Sequence, residues 1–351
     1  MPPTPLPALP PAANLLSAHD LDRLERVFAA GSRRNTLRAM ETDMRYLTAW
    51  RLARYGEALR WPETTEVAAT FILDHAEDLS NAAPDDPARR AAEAMIAAGV
   101  RRELDAPSPA TLNRRISAWR TLHRRQGEES PFADPRVAEL LRTARRASGV
   151  KQKPHSRNPI TAEVLETLIA ALPRDIRGLR DGALFAFAFA TGGRRASELS
   201  ALRFEMLDLT RFAGEGIIPF HLATTKTTEA EDTPPLATRG RAAVLLHAWL
   251  EEAQVATGPV FRAISRHGVV TAAGISPRQI ANILRGRLVE AGYEPDYASP
   301  HGFRSGFMTE AGKRGKHIGD AMALSLHRSP RQAMKYYRAG SVERNEAGDL
   351  F

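Results

Sequence analysis

A chain of 351 residues exceeds what a single hydrophobic core usually organises, so two domains are expected. The 43% hydrophobic content suits a globular protein, and the net charge of +8 points to an anionic partner. Zero cysteines exclude disulfides, thiolate metal sites and cysteine nucleophiles.

The opening MPPTPLPALPPAA lacks the basic start and apolar run of a signal peptide, and its prolines favour an extended, disordered lead over residues 1–16. The longest apolar run, residues 182–190, is too short to cross a bilayer. Neither a membrane partner nor an address outside the cytoplasm is therefore expected.

Residues 17–55 read as two helices, the second opened by a cap at Ser32 and carrying Leu37, Met44, Leu47 and Trp50. Pro62 and the stretch 81–87 interrupt the chain beyond Tyr55. A further helix begins near Ser108 or Thr111, with Leu112, Ile116, Trp119 and Leu122 spaced for one buried face. Arg114, Arg115, Arg120, Arg124 and Arg125 crowd its remaining surface with no intervening acid. Residues 111–160 hold twelve Lys+Arg against four Asp+Glu, while the two classes balance elsewhere at 37 each. Such a local excess fits a surface that tracks phosphates, and these arginines, with Lys151 and Lys153, are candidate DNA contacts.

The stretch ASGVKQKPHSRNP, residues 147–159, has the composition of an exposed basic linker, placing a helical DNA-binding domain over 17–146 and a second domain over 160–351. Thr161 caps a helix with Val164, Leu165, Leu168, Ile169 and Leu172 on one face, ended by Pro173. A buried helix covers 181–190. Between 207 and 237 the helical period fades, and GIIPFHLATTKT suggests a small antiparallel sheet. Helices resume over 241–252 and over 277–291, the latter capped by Ser276 and stopped by Gly292. Ser329 with Pro330 is a strong helix start near the C-terminus.

Four separated pieces of the second half stand out: ATGGRRASELSALR at 190–203, TTKTT at 224–228, PHGFR at 300–304 and LHRSPRQAMKYYR at 326–338. Together they resemble the tyrosine recombinases of the phage integrase type. The family's ordered pattern is met by Arg195 with Ser197, Glu198 and Leu199, then Lys226, His301 with Arg304, and His327 with Tyr336 nine residues later. SRRNTLRAMETDMRYLTAW and PSPATLNRRISAWRTLHRR resemble that family's core-binding domain. The resemblance implies a mainly α protein: a helical, SAM-like N-terminal core-binding domain and a mixed α+β catalytic domain with a small antiparallel sheet. It further implies a specific recombination site on double-stranded DNA, cleavage through a 3′-phosphotyrosyl intermediate, and a homo-tetramer on the synapsed DNA.

The residue types suit that chemistry. Phosphodiester cleavage gathers negative charge on the non-bridging oxygens, and the guanidinium forks of Arg195 and Arg304 match them bidentately. No carboxylate cluster has metal-binding spacing and no Gly-x-x-x-x-Gly-Lys-Ser/Thr loop is present, so neither metal, ATP nor another cofactor is expected. Lys226, one of six lysines against 43 arginines, is the candidate acid for the leaving 5′-oxygen; otherwise it is a solvent-facing strand lysine. The resemblance gives His301 proton transfer with the tyrosine and His327 a hydrogen bond to the phosphate. Glu198 either orients an arginine or is an ordinary helix-surface acid. Tyr337 adjoins Tyr336 and Arg194 adjoins Arg195, and the spacing favours Tyr336 and Arg195.

This chain departs from the family pattern at Leu326, where glycine is frequent, at Ser305, where many relatives carry histidine, and in the acidic TTEAEDTPPLA after Lys226. Two rivals remain: a type IB topoisomerase-like DNA-relaxing enzyme, and a non-catalytic architectural DNA-binding protein.

Overall fold

The computed structural model describes residues 34–147, 156–222, 235–327 and 329–341, and the chain divides into two units, Met1–Gln152 and Lys153–Phe351. The expected lead, the first N-terminal helix, the Ser32 cap, Lys151 and Lys153 lie outside the described residues.

The first unit is helical: α1 (Arg34–Tyr55), α2 (Thr65–Leu73), α3 (Pro87–Ala97), α4 (Pro109–Arg125) and α5 (Pro135–Ala147). Side-chain caps set the starts of α2, α3 and α4. The Thr64, Asp86 and Ser108 oxygens accept the backbone N–H groups of Val67, Ala88 with Arg89, and Thr111. Proline follows the cap in α3 and α4, where its missing N–H costs nothing. The α4 stripe Leu112, Ile116, Trp119 and Leu122 is buried, and Trp119 meets Trp50 of α1 and Phe71 of α2 edge-on, at 6.2 and 5.3 Å between centroids.

Several buried polar groups in this core are paired, although the Trp119 indole N–H has no partner among the described residues. The Trp50 indole N–H donates to Asp74 at 2.9 Å, and Arg51 meets Glu63 at 2.9 Å. His75 lies between the Phe71 carbonyl, 2.7 Å from Nδ1, and the Tyr46 hydroxyl, 2.8 Å from Nε2. A neutral ring satisfies both, Nδ1–H donating to the carbonyl and Nε2 accepting from the phenol. Burial pushes the His75 pKa down to about 3 from an ordinary value of 6.5. Between those values the unfolded chain binds a proton that the folded one refuses, so stability rises with pH across this window and is complete above it. At pH 5 the deficit from His75 is about 2 kcal/mol. Melting of the full chain at pH 5 and 7.5 should therefore show a lower midpoint at pH 5, and His75→Gln should narrow that difference.

The second unit begins with α6 (Ala162–Ala170), capped by Thr161, and α7 (Ile176–Ala190), capped by Asp175. The expected buried helix is α7, extended by five residues at its N-terminal end, with Phe185 and Phe187 at 1% exposure or less. Its one acid inside the core, Asp181, accepts from Arg180 at 2.9 Å and from Arg287 at 2.7 Å. Then come α8 (Ala196–Ala201), α9 (Phe212–Glu215), β1 (Ile217–Phe220) and β2 (Leu236–Arg239), β1 pairing antiparallel with β2 in the register Ile217 to Arg239. The expected sheet is present, with its residues 223–234 outside the described set.

Next are α10 (Gly240–Glu252), β3 (Arg262–Ile264) and β4 (Val270–Gly274). This second antiparallel hairpin was not anticipated, because its short strands lie half-exposed and carry no alternating pattern. α11 (Pro277–Glu290) starts at Ser276 with a reciprocal capping box to Gln279. α12 (His301–Lys313), α13 (Ile318–Ser325) and α14 (Pro330–Ser341) complete the unit.

Part of the expected linker belongs to this second unit. The Ser299 N–H donates to Ser156 Oγ at 3.0 Å, Asn158 N–H to the Tyr297 carbonyl at 3.0 Å, and Ile160 N–H to the Gly302 carbonyl at 2.9 Å. No described helix is long and apolar enough to cross a membrane.

Candidate active site

Three chain reversals in the second unit bring the motif pieces together. The first is the turn between α7 and α8, where Gly192 and Gly193 have φ of +93° and +72°. A Cβ on Gly193 would stand 2.1 Å from the Arg304 Cα, and one on Gly192 would stand 2.5 Å from the Leu324 carbonyl oxygen. Only glycine tolerates both the dihedral and the approach, so the α7–α8 turn lies directly on the first turn of α12 and the end of α13.

The second is the C-terminus of α13, capped by Leu326 in the left-handed region at φ 56°, ψ 44°. The structure gives the reason glycine suits this position: a helix C-cap that is costly for a branched side chain. The third is the return of α14 across α12. A Cβ on Gly312 would be 2.1 Å from the Tyr337 carbonyl oxygen and one on Gly340 would be 1.9 Å from that of Thr309. Backbone-to-backbone contact between α12 and α14 places Tyr336 beside His301, the rings edge-on with centroids 6.3 Å apart.

Arg195 is the N-cap of α8, with a side chain 27% exposed. Glu198 in the first turn is buried. Its Oε1 accepts from Arg195 Nη1 at 2.5 Å and its Oε2 from the Arg195 backbone N–H at 3.2 Å. Glu198 is thus a buried orienting group and not a surface acid. Arg304, 4% exposed on the first turn of α12, donates from Nη1 to the Ser325 carbonyl. His327 takes its Nδ1 partner from the Ser325 hydroxyl at 2.6 Å.

The electrostatics show how closely these groups converge. Burial first, then Arg195 and Arg194, push the Arg304 pKa down to about 9, opposed by Glu198 and by the Tyr336 phenol. Burial and the cations Arg304, Arg195 and Arg194, together with His301, push His327 down to about 3, so its imidazole is neutral at physiological pH. Three guanidinium groups therefore face one carboxylate, leaving positive charge that a phosphate would neutralise.

The structure thus brings together Arg195, His301, Arg304, His327, Tyr336 and Glu198. Lys226 falls among residues 223–234, outside the described residues. The Tyr337 hydroxyl donates to the Lys316 carbonyl at 2.6 Å, its side chain leaving α14 about 100° round from that of Tyr336. Among the described residues no group of three or more His, Asp or Glu is placed to hold a metal ion.

The α4 arginines are less free than their sequence implied. Arg114 pairs with the buried Asp43 at 2.5 Å, Arg115 stacks 3.2 Å from the Tyr46 ring centroid, and Arg120 donates to the Phe132 carbonyl at 3.1 Å. Arg124 is exposed and Arg125 half-buried with a contact of its own. The missing acid is Asp43, supplied from 71 residues away. Two site features escaped the sequence reading: the Ser325 hydroxyl against His327, and the burial of Arg194 at 1% exposure. The paired glycines before Arg194 were the available signal of a tight approach.

Comparison with known proteins agrees with this geometry. The phage integrase family model matches residues 158–342, more than half the chain. An integrase/recombinase xerD homolog from Selenomonas ruminantium is 26% identical over 319 residues, covering 89% of this chain and 84% of that protein. The fold is similar to that of the Tn1549 transposon integrase in complex with transposon right end DNA. There the TM-score is 0.58 at 14% identity, over 93% of this chain and 98% of the other. A lambda integrase dimer bound to a COC′ core site gives 0.52 at 16% identity, over 92% and 78%. This chain therefore belongs to the phage integrase family and is a tyrosine site-specific recombinase.

Proposed function

We propose that the chain cuts and rejoins duplex DNA at a specific recombination site, in the cytoplasm and on the nucleoid, with Tyr336 as nucleophile. The Tyr336 oxygen attacks the scissile phosphorus while His301 takes its proton. The phosphorus to 5′-oxygen bond breaks, and Lys226 protonates the leaving oxygen, giving a 3′-phosphotyrosyl bond and a free 5′-hydroxyl. Arg195 and Arg304 hold the non-bridging oxygens as charge accumulates, with Glu198 fixing the Arg195 fork. His327, held neutral, accepts from the Ser325 hydroxyl at Nδ1 and donates from Nε2 to the phosphate. Attack by a partner strand's 5′-hydroxyl reverses the linkage, so the phosphodiester energy is conserved and no nucleotide cofactor is consumed.

The observation that carries this reading is the positive excess around Tyr336 among the described residues: Arg194, Arg195 and Arg304 against Glu198. Lys151, Lys153, Arg114, Arg115, Arg120, Arg124 and Arg125 are the proposed duplex contacts outside the catalytic centre, and a tetramer on synapsed DNA is the proposed working assembly. The solved structures similar in fold were determined with DNA, which is consistent with such a partner.

The test is incubation in EDTA with a nicked suicide duplex carrying the site beside the gene. A covalent adduct that proceeds to recombinant joints is expected. Relaxation of any supercoiled plasmid without joints would favour a topoisomerase-like enzyme, and tight binding with no adduct an architectural protein.

A further inference from the structure

Arg194 is a buried charge that the proposed chemistry leaves unused. Its side chain is 1% exposed, although arginine is almost never fully buried without full pairing. Nη2 donates to the Leu324 carbonyl at 2.6 Å. Among the described residues Nε and Nη1 have no hydrogen-bond partner, and Nη1 stands 3.7 Å from Glu198 Oε2. That carboxylate is already engaged with Arg195 at 2.5 Å, so two cations share one anion. Burial, opposed by Glu198 and helped by the repulsion from Arg195, lowers the Arg194 pKa to about 10, still well above neutrality.

An isolated, undercompensated cation in a protein interior is costly, and an apolar side chain of similar length avoids that cost. The Leu324 carbonyl and the more distant Glu198 fix where the head group sits but leave most of its charge uncompensated. What it does act on is the site: Arg194 is among the groups that depress both Arg304 and His327. It lies beneath the phosphate-binding surface, shielded from solvent counterions, where a charge acts through a low effective dielectric.

We propose that Arg194 is a positioning residue of the strand-cleavage site, which never touches DNA and supplies uncompensated positive potential beneath the scissile phosphate, anchored by the Leu324 carbonyl. This rests on the recombinase reading above. The charge strengthens the hold of Arg195 and Arg304 on the pentavalent phosphate, where negative charge is greatest, more than on the ground-state diester. Ground-state affinity for the duplex comes from many surface contacts and is nearly indifferent to it.

The experiment compares wild type, Arg194→Met and Arg194→Lys by single-turnover adduct formation on the suicide duplex, by Kd for the same duplex, and by thermal melting. Arg194→Met should slow adduct formation about 10-fold or more, less than the loss of a group that contacts the oxyanion directly. Its Kd should stay within about 3-fold, well inside the effect of losing one surface phosphate contact. Its melting midpoint should fall by no more than a few degrees, the lost hydrogen bond to the Leu324 carbonyl being offset by removal of the buried charge. Arg194→Lys, which restores charge without the guanidinium fork, should recover most of the rate. The inference is overturned if Arg194→Met reacts at the wild-type rate, if it loses cooperative melting, or if Arg194→Lys is as slow as Arg194→Met. Absence of adduct from the wild type sinks the recombinase reading itself and this inference with it.

Discussion

Tyr336→Phe is expected to form no covalent adduct with a suicide duplex, a loss of roughly 10⁴-fold or more, as befits removal of a nucleophile. Tyr337→Phe is expected to react at nearly the wild-type rate. The two phenols are neighbours on α14 and point about 100° apart. The Tyr336 ring meets His301 edge-on and its phenol acts electrostatically on Arg304, whereas the Tyr337 hydroxyl is spent on the Lys316 carbonyl. Removing that hydroxyl costs one hydrogen bond at an exposed site, about 1 kcal/mol. Denaturing gels of both variants decide the matter: an adduct from Tyr336→Phe, or its loss in Tyr337→Phe alone, would reverse the assignment. Duplex binding should be equal in both, since neither change removes a cation.

Gly193→Ala is expected to damage both the stability and the activity of the second unit. Its φ of +72° is costly for any side chain, at about 1–2 kcal/mol. The new Cβ would press on the Arg304 Cα from 2.1 Å, a backbone contact that no rotamer change relieves. Overpacking of that kind costs a further 1–3 kcal/mol or so, giving about 2–5 kcal/mol in all. For a unit of this size that is a fall of roughly 10 °C in melting midpoint. Relief comes only by moving α12 away from the α7–α8 turn, which carries Arg304 off the phosphate it is proposed to hold. Displacement by about 1 Å is enough to lower a rate by roughly 10²-fold. Adduct formation should therefore fall well below wild type even at temperatures where the variant is folded. An equally stable, equally active Gly193→Ala would mean that the turn does not position Arg304.

Local rules made much of this protein legible. Leu112, Ile116, Trp119 and Leu122 announced the buried face of α4, and the caps at Ser108, Thr161 and Ser276 marked helix starts, because each signal is complete within one or two turns of chain. The order of Arg195, His301, Arg304, His327 and Tyr336 was readable for a similar reason: each chemical role restricts the residue type. The β3–β4 hairpin was not legible, since short half-exposed strands leave no periodic trace.

The sequence by itself determined the two helical faces, the caps and the identity of the groups suited to phosphoryl transfer. Tertiary structure alone decided how those groups are paired. Asp43 neutralises Arg114 across 71 residues, Glu198 serves two arginines at once, the Ser325 hydroxyl holds His327, and Arg194 is buried while its neighbour Arg195 reaches the surface. Spacing along a chain fixes which way a side chain leaves its own helix. What it meets there, and at what dielectric its charge is felt, depends on segments brought close only when α8, α12, α13 and α14 pack together.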